Sequence, residues 1–324
     1  MDGDRNIYSP LEVARIIGQP LDPRKPYPQL VEECCEVDTA EPEDYLYYFD
    51  VLVETEKIYV ITGTGAVTQE YVTLDTPAQL SFVDLATPEY YIKLTDFASR
   101  KEDVIARKKR TINWALNSYE SWRIIQLLDT AAVQSGHTNT MESGYTRFNF
   151  AELISMIEDV QDYGDDYLLI VGAKIDKDML LWDWNDNKYQ STIEAWKQLG
   201  IKKIKMSLAG SAQTFSYHSG VSGDVSETTN ILATDLAYMV ARSNANGLGK
   251  PLLFVRKKLD SVKTLGGVVS EDGTAPERLV FVSPNPITVT STARYLAIGL
   301  TGYEQIASAV VNPYAVKRFL RHTV

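Results

Sequence analysis

The residue types that usually carry catalysis occur in this sequence, but their spacing matches no familiar catalytic pattern. The three histidines lie far apart, and no HExxH or CxxC metal spacing and no GxSxG nucleophile elbow is present. The acid pairs Asp165–Asp166 and Asp176/Asp178 are interpreted as solvated turns at strand ends, because acid–base catalysis needs a partner that holds the acid in a cleft. We therefore predict a protein with no catalytic centre and no cofactor.

One segment, DWNDNKYQSTIE, has partial calcium-loop spacing. Lys188 stands at its sixth position, where the sharp turn of such a loop needs glycine. A capping box of Ser191 and Glu194 that opens a helix through Trp196 is the simpler interpretation, and a calcium site remains the alternative. The candidate ligands occupy positions one, three, five and twelve of the loop: Asp183, Asn185, Asn187 and Glu194.

The composition of the 324 residues is that of a globular protein, with 44% hydrophobic and 23% charged residues. A net charge of −11 argues against a dedicated nucleic-acid-binding face, which is normally basic. The start is acidic and no apolar run is long enough to span a bilayer, so we predict a cytosolic protein without a membrane partner. Cys34 and Cys35 are predicted to be free thiols in a loop, with an intermolecular link as the alternative.

Residues 1–50 differ from the rest of the chain. They hold twelve acids against four bases, and six of the thirteen prolines. Proline fixes φ and removes an amide donor, so we predict an extended arm with one short helix at 10–18. Such an arm has too little apolar surface to fold alone. Its aromatic residues, which include Tyr47, Tyr48 and Phe49, favour packing across another surface.

Residues 51–85 have the pattern of a β-hairpin. Two β-rich runs, VLVETEKIYVITG and AVTQEYVTLDT, flank the glycines at 63 and 65. Charged residues interrupt both faces, and an isolated two-stranded ribbon is marginal in water. We expect it to lean on a neighbouring subunit, with Ile58 and Tyr71 as candidate contact residues.

The longest element is an amphipathic helix predicted over 97–133, which we call the spine helix. Its apolar residues recur every three or four positions, and it contains no glycine or proline. The basic run at 107–110 is interpreted as a solvated, ion-paired face, with phosphate binding as the alternative. The candidate core residues of the helix are Ile112, Trp122, Ile125 and Leu128.

From Phe148 onward helices alternate with short apolar strands. Strands are predicted over DYLLIVGA, IKKIKMSL and KPLLFVRKKL. Helices are predicted over FNFAELISMIEDVQDYG, STIEAWKQLG and TTNILATDLAYMVARSNANG. The fold class is therefore α+β.

The order of arm, hairpin, spine helix and α+β domain resembles the major capsid proteins of tailed bacteriophages, which have the Hong Kong 97-type fold. The most similar passages are YYIKLTDFASRKEDVIARKKR (90–110), IIQLLDTAAV (124–133) and LAIGLTGYEQIASAVVNPYAV (296–316). The resemblance implies four regions: an N-terminal arm at 1–50, an extended loop at 51–85, a peripheral domain at 86–148 and an axial domain at 149–324, which returns to the peripheral domain at about 278–292.

The resemblance also implies a structural subunit that forms hexamers and pentamers of an icosahedral virion capsid, assembled in the host cytoplasm. Scaffold, portal or decoration proteins and non-specifically packaged double-stranded DNA are the partners it implies. Three alternatives remain open: an encapsulin-type compartment shell, a tail or tube protein, and a hydrolase-like enzyme with a regulatory arm, for which Asp178 is the candidate acid.

Overall fold

A computed structural model describes the chain over residues 30–49, 78–88, 90–93, 101–140, 147–182, 199–208, 211–212, 214–217, 227–242, 249–259, 277–283, 287–290, 293–295 and 297–321. Several predictions lie outside these residues. They are the helix at 10–18, the tip of the hairpin with Ile58 and Tyr71, the helix over 191–198, and the four calcium-ligand candidates Asp183, Asn185, Asn187 and Glu194.

Four α-helices and two 3-10 turns are present in the described residues. The α-helices are α1 (Leu30–Cys34), α2 (Lys101–Ser135), α3 (Phe150–Val160) and α4 (Ala173–Leu180); the 3-10 turns are Gln161–Tyr163 and Pro313–Ala315. Helix α2 is the predicted spine helix. It is 35 residues long and ends where Gly136 takes a φ of 72°, a left-handed conformation that glycine adopts readily.

The strands fall into two main sheets and four short pairs. They are β1 (Cys35–Ala40), β2 (Leu46–Phe49), β3 (Ala78–Ser81), β4 (Val83–Ala86), β5 (Tyr90–Lys93), β6 (Thr138–Thr140), β7 (Asp166–Val171), β8 (Lys202–Lys205), β9 (Ser207–Leu208), β10 (Ser211–Ala212), β11 (Thr214–Tyr217), β12 (Glu227–Asn230), β13 (Leu236–Arg242), β14 (Leu252–Lys257), β15 (Arg278–Ser283), β16 (Ile287–Thr290), β17 (Ala293–Tyr295), β18 (Ala297–Val310) and β19 (Val316–Leu320). The short pairs are β2–β3, β9–β10, β11–β12 and β16–β17.

The six-stranded sheet is built around the 14-residue strand β18. Glu304 pairs with β15 and with β4, and Ile306 pairs with β14 and with β4, so β14 and β15 lie in line on one side of β18. Strands β4 and β5 lie in line on the other side. Strand β1 adds to the outer edge of β14 in parallel.

The five-stranded sheet has the order β6-β19-β13-β7-β8. The helix predicted over TTNILATDLAYMVARSNANG is wrong, because this segment contains β12 and the central strand β13. Strand β13 is buried on both faces: Tyr238 and Val240 face the spine helix, whereas Ala237 and Met239 face α3. A strand buried on both faces lacks the alternation of polar and apolar residues that would have distinguished it from a helix.

The main core lies where the spine helix packs against both sheets. Ile124, Leu128 and other residues of its buried stripe share one apolar cluster with Phe254 of the six-stranded sheet and Ile170 of the five-stranded sheet. A second cluster lies between α3 and the other face of the five-stranded sheet. The spine helix therefore joins the two sheets into one folded body. None of the helices described here is long and apolar enough to cross a membrane.

Residues 30–40 do not have the structure expected of an extended arm. Leu30, Val31, Cys34 and Cys35 are fully buried in the main core, and β1 pairs with β14 over six residues. The acidic residues around these few apolar side chains obscured the pattern in the sequence. The two cysteines are therefore not loop thiols: burial raises the pKa of Cys34 to about 12 and that of Cys35 well above its ordinary value, which leaves both unreactive.

Candidate assembly surface and the buried ions behind it

A short ribbon, strands β2 and β3, covers the outer face of the six-stranded sheet. Its register pairs Tyr47 with Leu80, Tyr48 with Gln79 and Phe49 with Ala78. Side chains alternate between the two faces of such a ribbon, so Tyr47, Phe49 and Leu80 all point to the same side. These inner residues pack with Phe82 onto an apolar cluster of the sheet: Ala40, Leu253, Val255 and Ala307.

The outer face of the ribbon is open and partly aromatic. Tyr48 is 54% exposed, Leu46 is exposed beside it, and Tyr45 just before the ribbon is 87% exposed. The Tyr45 and Phe82 rings lie 5.5 and 5.4 Å from Nζ of the buried Lys257, within the range of a cation–π contact. An anchored ribbon with aromatic and aliphatic residues on its free face is a candidate contact surface for another molecule.

Polar contacts also attach the ribbon to the sheet beneath it. The Tyr47 hydroxyl donates a hydrogen bond to Asp38 of β1, and burial together with this carboxylate raises the pKa of Tyr47 to about 12. Lys258 pairs with Glu41 at 2.5 Å, where the chain turns from β1 toward the ribbon. Among the predicted contact residues of the arm, Tyr47 and Phe49 therefore face the chain's own sheet, and Tyr48 faces outward.

The candidate residues of the spine helix lie in the core of the chain. Ile112, Ile125 and Leu128 are buried, and the half-buried Trp122 packs against the cluster that contains Ile125 and Leu128. The Trp122 ring lies 5.5 Å from that of Tyr119. On the exposed side of the helix, Trp114 is 38% exposed. These four candidates therefore hold the helix to the sheets within one chain.

A glycine lets the spine helix approach the six-stranded sheet closely. A Cβ atom built on Gly302 of β18 would overlap Cγ2 of the buried Ile112. The Gly302 backbone is also fixed in the sheet: its amide donates to Oγ1 of Thr87 at 2.9 Å, and its carbonyl accepts from the Thr87 amide at 2.8 Å. The contact thus needs a residue without a side chain at this position.

Beside this contact lies a cluster of buried ions that the sequence analysis did not detect. Glu120 of the spine helix and Glu304 of β18 are each 1% exposed. Arg278 of β15 lies between them, with Nη2 2.7 Å from Glu120 and Nε 2.5 Å from Glu304. Arg256 of β14 also pairs with Glu120, at 3.1 Å. Two carboxylates and two guanidinium groups therefore join the helix to three strands.

Within this cluster, the pKa of Glu304 is raised above its ordinary value. Burial and the negative charge of Glu120 raise its pKa to about 7, against the opposing effect of Arg278. Its Oε2 accepts from Arg278, but its Oε1 has no hydrogen-bond partner among the described residues. A charged, buried oxygen without a donor is unfavourable, which explains the direction of the shift. For Glu304 the available sequence signal was its position as the single charged residue in the stretch 297–310.

The acids Asp176 and Asp178 are buried and paired, so their interpretation as solvated turns is wrong. Burial alone would raise the pKa of Asp176, but Lys205 and Lys203, at 2.5 and 3.1 Å, lower it below its usual range. Both oxygens of Asp178 accept from Arg321, and one also accepts from the Phe148 amide at 2.9 Å. The partners lie 27 to 143 residues away in sequence, where local spacing cannot indicate them.

The neighbouring acids Asp165 and Asp166 differ in exposure and pairing. Asp165 is exposed, whereas Asp166 pairs with Arg242 at 2.7 Å.

In the basic run of the spine helix, Arg107 and Arg110 are exposed, and Nζ of Lys108 lies 4.7 Å from the Tyr90 ring. The described part of the chain contains no cluster of side chains suited to a metal ion.

No protein-family model matches the sequence, and no curated protein matches it significantly. Several solved structures, however, are similar to this chain in fold. The capsid structure of the cyanophage P-SCSP1u has a TM-score of 0.55 at 13% identity, covering 92% of this chain and 89% of that one. A structure from Mycobacterium phage Adephagia has a TM-score of 0.55 at 11% identity, covering 98% of each chain.

A virus-like particle from Pyrococcus furiosus has a TM-score of 0.50 at 12% identity, covering 95% of this chain and 97% of that one. At these identities the likeness shows a shared fold. It extends over nearly the whole chain, as the resemblance in the sequence implied. The protein therefore has the α+β, Hong Kong 97-type fold of tailed-phage capsid proteins.

Proposed function

We propose that this chain is the major structural subunit of an icosahedral bacteriophage capsid, in which it forms hexamers and pentamers around double-stranded DNA. The observation that carries the proposal is the shell fold, shared along 92% of the chain with a cyanophage capsid structure. The virion capsid is then its location, with assembly in the host cytoplasm. Scaffold, portal or decoration proteins are the partners expected of such a subunit.

The ribbon supports this proposal. Its inner face is anchored on the chain's own sheet, and its outer face carries the exposed Leu46 and Tyr48. Single exposed apolar residues are common, but two on one face beside the 87%-exposed Tyr45 favour a contact with a second copy. Residues 50–77 connect the two ribbon strands in sequence, and the proposal assigns them to the contact with the neighbouring subunit.

The four regions keep their proposed roles with one change of boundary. The proposed arm is residues 1–29, because α1 and β1 belong to the chain's own core. The extended loop, the peripheral domain with the spine helix, and the axial domain with the five-stranded sheet remain as proposed. A net charge of −11 suits a wall that encloses DNA without binding it tightly.

A shell that encloses protein cargo instead of a genome is the second candidate. The same fold occurs in a virus-like particle from Pyrococcus furiosus, and the two chains match along almost their whole lengths. The two candidates differ in contents, so nuclease-protected DNA in particles purified from the native source supports the capsid. Protected protein without DNA supports the compartment.

Electron microscopy of the purified full-length chain tests the proposed assembly. We expect closed shells of uniform diameter. A monodisperse monomer at high concentration contradicts the proposal, and so do open tubes, which would indicate a tail or tube protein.

A matched pair of variants tests the ribbon's part in assembly. Tyr48→Ala removes an exposed aromatic ring, whereas Gln79→Ala truncates the polar residue paired with it on the same face. We expect Tyr48→Ala to raise the protein concentration needed for shell formation at least about tenfold, as loss of a well-packed interface aromatic does. Gln79→Ala should change it little. Equal effects of the two variants would remove the ribbon from the interface.

A further inference from the structure

We propose that the buried Glu120–Arg278–Glu304 cluster is a proton-operated lock between the spine helix and the six-stranded sheet. A proton on Glu304 holds the helix and the sheet together, and its loss loosens them. The lock lies within one chain, so the inference does not depend on the proposed shell function.

The geometry gives the cluster two states. With both glutamates ionised, two negative charges share Arg278, and Oε1 of Glu304 is buried without a hydrogen-bond donor among the described residues. With Glu304 protonated, one carboxylate remains, and Arg278 and Arg256 both pair with Glu120. Protonation of Glu304 removes the repulsion between the two carboxylates. It also removes the negative charge from the carboxyl group whose Oε1 has no hydrogen-bond donor among the described residues.

Among the described residues, Arg256 is the one other cation that favours the ionised form of Glu304, and its effect is smaller than that of Arg278. Arg256 makes its ion pair with Glu120, and Leu85 of β4 is the apolar residue directly opposite Glu304. Glu277, next to Arg278, lies 3.8 Å from Arg256 and adds negative charge. On the helix side, Asn117 is neutral and accepts from Arg278 at 2.6 Å. Cys35 of β1, whose thiol lies within electrostatic range of Glu120, is also neutral.

Opening the interface to water returns Glu304 to the ordinary pKa of an exposed glutamate. The proton then passes to solvent at neutral pH, so opening and proton release are linked. Because the folded-state pKa, about 7, is above the ordinary 4.5, the stabilisation is fully present below about pH 4.5 and is lost as the pH rises through about 7. The interface is thus tighter at mildly acidic than at mildly basic pH.

Chemical denaturation of the purified full-length chain at several pH values tests the lock. Lowering the pH from about 8 to about 5.5 should reduce the unfolding equilibrium constant about thirtyfold, from the linkage of one group with this shift. Glu304→Gln, which resembles the protonated side chain, should remove this component. Asp176→Asn is the matched control: it also neutralises a buried acid, but one whose pKa is lowered, so the pH step should remain.

Two further measurements keep the test decisive if Glu304→Gln folds poorly. Glu120→Gln removes the neighbouring charge and should move the pH step to lower pH, toward the titration of an ordinary glutamate. Infrared spectra near pH 6 should show the carbonyl band of a buried protonated carboxylic acid in the wild type. A pH step unchanged by Glu120→Gln, or one retained in Glu304→Gln, would overturn the inference.

Discussion

The two faces of the six-stranded sheet are covered in different ways. The inner face carries the spine helix, with Gly302 allowing close approach and buried ions joining the two elements. Among the described residues, the outer face carries the ribbon, and Tyr48 is exposed on the far side of that ribbon. One face is thus completed within the chain, and the other ends in a layer open to a partner. In a protein that assembles, folding and association can therefore depend on separate sets of residues.

The largest effect should come from removing the cation that the two buried glutamates share. Arg278→Met leaves Glu304 without its ion-pair partner and should cost about 3–5 kcal/mol of unfolding free energy near pH 8. The loss should shrink at lower pH, where Glu304 is neutral. Urea titrations followed by circular dichroism measure both. Arg123→Met is the control, because the contact of its Nε among the described residues is with the neutral hydroxyl of Ser308, at 3.3 Å.

The next effect concerns the close contact of the helix with the sheet. Gly302→Ala should lower the unfolding free energy by about 1–3 kcal/mol, because its new methyl group overlaps Ile112. Adding Ile112→Ala removes the overlapping Cγ2 atom, so the double variant should lose less than the sum of the two single losses. Strict additivity in thermal or urea unfolding would show that the overlap is relieved elsewhere.

A smaller effect is expected where the ribbon packs on the sheet. Phe49→Ala should cost about 1–2 kcal/mol, less than a fully buried phenylalanine, because the ring is only half-buried against the outer cluster. It should also weaken shell formation, because the ribbon loses its support. A stability loss as large as that of Arg278→Met would mean that the outer face is as essential to folding as the inner one.

The smallest effect on stability is predicted for the outer face of the ribbon. Tyr48→Ala should change the unfolding free energy of the unassembled chain by less than about 0.5 kcal/mol, as exposed substitutions usually do. Its effect should appear only in assembly. A large loss of stability in the monomer would erase the difference between the two faces.

Local sequence patterns predicted the helices and strands whose residues show a clear periodicity or a short apolar run. The spacing of Ile112, Ile125 and Leu128 predicted the spine helix, and a short run of apolar residues predicted the strand that became β7. Strand β13 was predicted as a helix because both of its faces are buried, which removes the alternation. The order of elements, through its resemblance to shell proteins, predicted the overall fold.

The buried ions were beyond prediction from spacing. Arg256 meets Glu120 across 136 residues, and Arg321 meets Asp178 across 143. Nothing in the local sequence distinguishes these acids from solvated ones, because the partner that justifies their burial comes from another element. Likewise, α1 is only five residues long, too short for helical periodicity to be visible.

Strand β18 also has a consequence for how such a chain can diversify. Strand β14 ends at Lys257 and strand β15 begins at Arg278, and both pair in line with the same side of β18. The entropy of closing a connection between two such strands rises only slowly with its length. Insertions or deletions between these two residues should therefore be tolerated, which makes this junction a natural place to graft a foreign peptide or to acquire a new surface module.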